Sequence, residues 1–187
     1  MSQPELLRYT VAALEAAGVA YMVTGSTVSS LQGQPRMTHD IDIVVAIEPS
    51  SIPALLAAFR PPRFYLEEAA IRDAIATGAM FNVIDVGGGD KVDFWMLKTE
   101  PFEQSMFARR YQESAAGIAM YVSQPEDTIL SKLKWARASD GSSKQIADCV
   151  AVYEVNHTNL DLEYLKGWAH ELGVSDLLAQ VEHAAEV

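Results

Sequence analysis

The chain has 187 residues, which allows one compact domain or two small lobes. Hydrophobic residues make up 49% and charged residues 21%, a composition that folds and that excludes a disordered or collagen-like polymer. A net charge of −11, from 14 Lys plus Arg against 25 Asp plus Glu, argues against broad coating of nucleic acid or anionic membrane.

Helical spacing of Leu6, Leu7, Val11 and Leu14 predicts a first helix over residues 5–17, stopped at Gly18. Residues 19–23 are apolar and β-branched or aromatic, and Thr24, Gly25 and Ser26 follow at once, so a buried strand ends there in a turn. A short helix is expected over 27–32. After Pro35 the run from Asp40 to Val45 alternates polar and apolar and then turns wholly apolar, a strand whose one face changes character. Helices are predicted over 51–59 and 67–77, closed by Pro61-Pro62 and by Gly78. Two strands, 80–86 and 91–97, flank Gly87, Gly88 and Gly89 and read as an antiparallel hairpin. A helix over 101–110 and a last strand over 118–122 complete an α/β lobe.

From Ser123 the pattern changes. Gln124 and Pro125 open a helix with Glu126 and Asp127 at its positive end, running to about Ser139. Further helices are expected over 143–155, 161–172 and 175–185. The fold class is therefore α/β (α+β), a small mixed sheet flanked by helices in residues 1–122, with a C-terminal helical lobe, 123–187, packed against it. The longest apolar runs fall far short of the roughly 18–20 residues of a membrane span, and the N-terminus shows no leader pattern, so a cytoplasmic protein with no membrane partner is expected. One cysteine, Cys149, excludes an intramolecular disulfide and any CxxC metal site, leaving helix packing as its role.

Asp40 and Asp42 stand two apart in a strand and so share a face, opposite core-facing Ile41 and Ile43. Such a pair suits a hard divalent ion such as Mg²⁺, which takes one or two carboxylates and substrate phosphates. With acids at this frequency about three acid-x-acid patterns arise by chance, and a solvent-facing edge carrying acids for solubility is the competing reading. Gly25 and Ser26, at a strand-to-helix turn, offer backbone N–H groups to a phosphate, or simply a helix cap. Asp93 sits between Val92 and Phe94 in an apolar strand; if that strand neighbours the Asp40–Asp42 strand, three carboxylates converge and could hold two metal ions.

Gly25-Ser26, thirteen residues, Asp40-Ile41-Asp42, then Val92-Asp93-Phe94 resembles the signature of the nucleotidyltransferase (polymerase β-like) superfamily. Arg36-Met37-Thr38-His39-Asp40-Ile41-Asp42 is similar to the R-x-T-x-D-I-D variant of minimal bacterial nucleotidyltransferases and AbiEii-type toxin relatives. Gln124 to Leu133 resembles their P-E-D-hydrophobic-x-x-x-K-L segment, and Lys144 to Asp148 their K-x-x-x-D helix. The resemblance spans residues 5–155.

It implies an enzyme that moves a nucleoside monophosphate from a nucleoside triphosphate, ATP among them, to an acceptor that is RNA, a protein or a small molecule. Asp40, Asp42 and Asp93 would bind metal, two Mg²⁺ ions in such enzymes, and Asp93 can act as base. Gly25, Ser26, Arg36 and Lys132 would hold the nucleotide, and Asp148 would complete the catalytic set. An antitoxin-like partner belongs to the toxin version. The plainer readings are a solvated helix face for Lys132 and a Lys144–Asp148 pair one turn apart. A catalytically silent nucleotide-binding module and a plain interaction protein with surface acids are the alternatives. His39 is placed on the far face of its strand; His157, His170 and His183 lack ligand spacing and are expected at the surface. Trp95, Trp135 and Trp168 are read as core or lobe-interface residues.

Overall fold

The computed structural model describes residues 1–35, 40–139 and 142–187. They divide into two compact units: Met1–Ser26 with Thr38–Val122, and Thr27–Met37 with Ser123–Val187.

The first unit holds a seven-stranded mixed sheet. Its strands are β1 (Ala20–Thr24), β2 (Asp40–Ala46), β3 (Phe64–Tyr65), β4 (Met80–Asp85), β5 (Lys91–Met96), β6 (Tyr111–Ala115) and β7 (Ile118–Val122). Their order is β3-β4-β5-β2-β1-β7-β6, with β2–β5 and β1–β7 parallel and the other pairs antiparallel. Helix α1 (Gln3–Ala16) starts where the Ser2 N–H and hydroxyl both donate to the Glu5 carboxylate, 2.8 and 2.9 Å away, which satisfies a terminal donor. Helices α3 (Ile52–Ala58), α4 (Glu68–Thr77) and α5 (Pro101–Arg109) complete the unit. One sheet face is largely apolar: Ile41, Ile43, Val45, Val83, Val92 and Phe94 are buried there beside an aromatic cluster of Tyr9, Phe59, Phe64, Phe81 and Phe94, and the one acid at its edge, Asp85, is paired with the N-terminal ammonium at 2.7 Å. Alternation therefore delivers the even-numbered side chains of β2 to the opposite face.

The second unit is helical. It takes most of α2 (Gly25–Gln32) and α6 (Pro125–Ala138), α7 (Ser143–Asn156), α8 (Leu162–Glu171) and α9 (Ser175–Ala184). Helix α6 buries Ile129, Leu130, Leu133 and Ala136 and packs along α7, where Cys149 is fully enclosed and donates its thiol to the Ile129 carbonyl at 3.6 Å. Buried Glu126 and Asp127, in the first turn of α6, receive the Asp161 N–H and the Tyr164 hydroxyl at 2.8 and 2.7 Å and so tie α8 to α6. Among the described residues no helix is long and apolar enough to cross a membrane.

The hairpin turns where the glycines predict it: the Gly88 and Gly89 N–H groups return to the Asp85 carbonyl, and Gly89 takes a φ of +77°. Two strands escape the sequence patterns. β3 is too short to show a period, and β6 is a polar edge strand with no buried residue. Helix α2 begins at Gly25 itself, with no intervening turn. Trp135 is 54% exposed, not a core residue, because α6 turns its other side to α7.

Candidate active site

Strand register gathers the acids. Across the polar sheet face, Thr24 pairs with Asp42, Asp42 with Asp93, and Asp93 with Asn82, so β1, β2, β5 and β4 each contribute one polar side chain to a single row. One step along β2, Asp40 stands opposite Lys91. One step the other way, Val44 stands opposite Trp95. The parallel pairing of β2 with β5 makes this possible, since it sets Asp40–Asp42 and Lys91–Asp93 side by side in the same direction.

The acids differ in exposure. Asp40 is open to solvent, Asp42 half-buried and Asp93 only 8% exposed in its side chain. Asp42 Oδ1 accepts the indole N–H of Trp95 at 3.1 Å, which sets the carboxylate's rotamer. Burial pushes its carboxyl above the ordinary value of 3.8; the Trp95 hydrogen bond opposes that shift, and the charges of Asp93 and Asp40 add to it. Asp93 Oδ2 takes the Lys91 ammonium at 2.6 Å, and its Oδ1 is buried without a hydrogen-bond partner. The same ammonium lies 3.5 Å from Asp40 Oδ1.

Gly25 closes the row from above. Its φ of +67° suits glycine, and a Cβ there would sit 2.2 Å from Asp42 Oδ2 and 2.9 Å from Asp42 Cβ. The backbone at the start of α2 therefore lies directly against the Asp42 carboxylate, with Ser26 next in the chain. Any side chain larger than hydrogen would push Asp42 aside.

Lys132 and Asp148 belong to the helical unit, where they meet each other. The ammonium is 2.7 Å from Asp148 Oδ2 and donates also to Gln145 Oε1 at 3.1 Å, and the Ser29 hydroxyl reaches Asp148 at 3.5 Å. Lys132 is buried, not on a solvated helix face, and Asp148 is nearly so. Arg36, and the motif residues Met37, Thr38 and His39, lie outside the described residues. His157, His170 and His183 are exposed.

The all-oxygen donor set, the orphaned Asp93 Oδ1 and the disfavoured charge on Asp42 suit a hard divalent cation. As they stand, no group of three or more His, Cys, Asp or Glu side chains among the described residues is arranged to hold one, and the Lys91 ammonium instead bridges two of the acids. Lys91 and Trp95 are the site residues that motif spacing missed. Both lie two residues from Asp93, one on either side, so strand alternation alone places them on its face.

No protein-family model matches the chain, and no curated protein matches it. Solved structures do. The antibiotic-resistance factor ANT(2'')-Ia in complex with adenylyl-2''-tobramycin superposes with a TM-score of 0.61 at 17% identity, over 92% of this chain and 98% of that one. An antigenic nucleotidyltransferase-like protein from Paracoccidioides brasiliensis gives 0.57 at 16%, over 98% and 94%. The lincomycin-bound lincosamide antibiotic adenylyltransferase LnuA gives 0.55 at 13%, over 83% and 98%. At such identities the likeness is one of architecture: the chain has a nucleotidyltransferase fold, as the spaced Gly-Ser and Asp motifs predict.

Proposed function

We propose that this protein is a metal-dependent nucleotidyltransferase that transfers an adenylyl group from ATP to a hydroxyl of a small-molecule acceptor. The observation that carries the reading is the register of β2 against β5, which stands Asp42 beside Asp93 with Asp40 one step away, on a sheet face closed by the Gly25 backbone. The small-molecule acceptor and the adenylyl group draw support from the fold shared with ANT(2'')-Ia and LnuA, whose described ligands are an adenylylated tobramycin and lincomycin. A net charge of −11 speaks against a long polyanionic acceptor. The likeness to the AbiEii-type toxin branch rests on the motif residues alone.

Asp40, Asp42 and Asp93 would hold the metal. Mg²⁺ bound there supplies the positive charge that offsets the negative charge building on the transferring phosphate. The chain's own residues position the reactants. Trp95 holds Asp42 in one rotamer, Gly25 and Ser26 leave backbone close to where the triphosphate would lie, and the Asp93 carboxylate, by the family resemblance, takes the proton of the acceptor hydroxyl. The acceptor oxygen bonds to the α-phosphorus, the bond from that phosphorus to the α–β bridging oxygen breaks, and pyrophosphate leaves with the electron pair.

The test is pyrophosphate release and acceptor labelling from each of the four nucleoside triphosphates with Mg²⁺, over a panel of hydroxyl-bearing antibiotics including tobramycin and lincomycin. Labelling with ATP is expected, reduced on the order of 100-fold or more in Asp42→Asn and in Asp93→Asn with the fold retained. Binding of Mg·ATP without pyrophosphate release from any acceptor, including RNA and protein, would leave a silent nucleotide-binding module.

A further inference from the structure

We propose that Lys91 is a tethered counter-ion: a positioning residue that holds Asp93 and Asp40 in the metal-free protein and must withdraw before a divalent cation can enter. This rests on the metal-binding reading above and adds a residue to it.

The geometry is specific. Lys91 opens β5, opposite Asp40 in register and two residues before Asp93, so its stem rises from the floor of the acidic row and needs no reach across the fold. Its ammonium touches Asp93 Oδ2 at 2.6 Å and stands 3.5 Å from Asp40 Oδ1. The partners differ in freedom. Asp93 is 8% exposed and flanked by buried Val92 and Phe94, whereas Lys91 is 39% exposed on a flexible four-carbon stem. When charge must rearrange, Lys91 is the side chain that can move.

Charge arithmetic gives the reason for moving. Three carboxylates and one ammonium leave a deficit of positive charge, and a divalent cation in place of the ammonium reduces it. Without either cation, Asp93 would be a buried carboxylate with neither oxygen partnered, an arrangement that is strongly unfavourable. Lys91 thus keeps the acidic row folded and ordered, and metal affinity is lowered by the need to displace it.

The experiment uses the full chain, stripped with EDTA and dialysed. Mn²⁺ binding is followed by the paramagnetic resonance of the free ion, and the thermal midpoint is read with and without Mn²⁺. Lys91→Met is expected to melt earlier than wild type without metal, to bind Mn²⁺ more tightly by on the order of tenfold, and to gain more than wild type in midpoint when Mn²⁺ is added. Lys98→Met, which removes the same charge from the residue two beyond β5, is expected to match wild type throughout. Lys91→Arg keeps the charge and is expected to bind Mn²⁺ no more tightly than wild type, which secures the comparison if the methionine variant does not fold. Unchanged or weaker Mn²⁺ binding by Lys91→Met beside a wild type that binds would overturn the counter-ion role and leave the metal site standing. Equal tightening by Lys98→Met would reduce the effect to net charge and overturn it too. No Mn²⁺ binding by any of the four proteins would remove the metal reading and this inference with it.

Discussion

In the sheet unit, Asp42 and Asp93 face each other across β2 and β5 with Asp40 one step away, and one ammonium is shared between Asp93 and Asp40. In the helical unit the Lys132 ammonium meets Asp148, and Gln145 and Ser29 also contact the pair. Both arrangements take carboxylates out of water. The helical pair sets one ammonium against one carboxylate and joins α6 to α7. The sheet row carries surplus negative charge, an orphaned oxygen and a carboxyl whose ionisation is disfavoured.

The largest expected effect sharpens the closed side of that contrast. Lys132→Met takes the ammonium away from the nearly buried Asp148 carboxylate and is expected to cost about 3–5 kcal/mol in urea unfolding. The double variant with Asp148→Leu should recover most of the loss, since an apolar pair of similar volume replaces a buried ion pair at little cost. A single-variant loss below about 1 kcal/mol would mean that the pair behaves as an exposed one and that the contrast is false.

A smaller effect separates local strain from site geometry. Gly78, the αL cap of α4, and Gly25 share a φ of +67°, yet a Cβ at Gly78 meets nothing within 4 Å while one at Gly25 meets Asp42. Gly78→Ala should cost about 1–2 kcal/mol from handedness alone. Gly25→Ala should cost more than that in the same chemical unfolding and should also weaken Mn²⁺ binding, because the methyl displaces the Asp42 carboxylate. Equal costs with unchanged metal binding would show that the contact with Asp42 does not matter.

Much of this was legible in the chain because it follows from short-range rules. Alternation placed Asp40 with Asp42 and set Ile41 and Ile43 in the core, three glycines marked the hairpin, and apolar spacing marked α1 and α6. What stayed hidden depends on which strands become neighbours. The parallel pairing of β2 with β5 passes over two helices and two strands, and no local pattern states that Asp42 will face Asp93 or that Lys91 will reach Asp40. Edge strand β6 hid for a related reason: it pairs on one side only, buries nothing, and Tyr111, Gln112, Glu113 and Ser114 carry no apolar period. The apolar character of the Trp95 indole points to a core or interface, whereas its polar tip serves Asp42. The Lys132–Asp148 pair needed the meeting of α6 with α7, which helical spacing within either helix does not reveal.

The smallest effect tests whether the charge surplus is real in the metal-free protein. Asp42 has a folded-state pKa above its ordinary 3.8, so the folded chain binds that proton more tightly than the unfolded chain does. Its contribution to stability is therefore intact below about pH 4 and is lost as pH rises through the folded pKa. At neutral pH the wild type carries an ionised carboxylate against burial and against Asp93 and Asp40. Asn has the same size and keeps a carbonyl oxygen to accept the Trp95 N–H, so Asp42→Asn should melt at a higher temperature than wild type in EDTA at pH 7. The advantage should shrink as the pH is lowered through the folded pKa of Asp42, where the wild-type carboxyl takes up its proton. Saturating Mg²⁺ should reverse the order at pH 7, since the ion stabilises the carboxylate and finds a weaker ligand in the amide. Calorimetry at both pH values, with and without Mg²⁺, reads all four states. A variant less stable than wild type at pH 7 in EDTA would mean that Lys91 already compensates the row in full, and the sheet unit would then be as closed as the helical one.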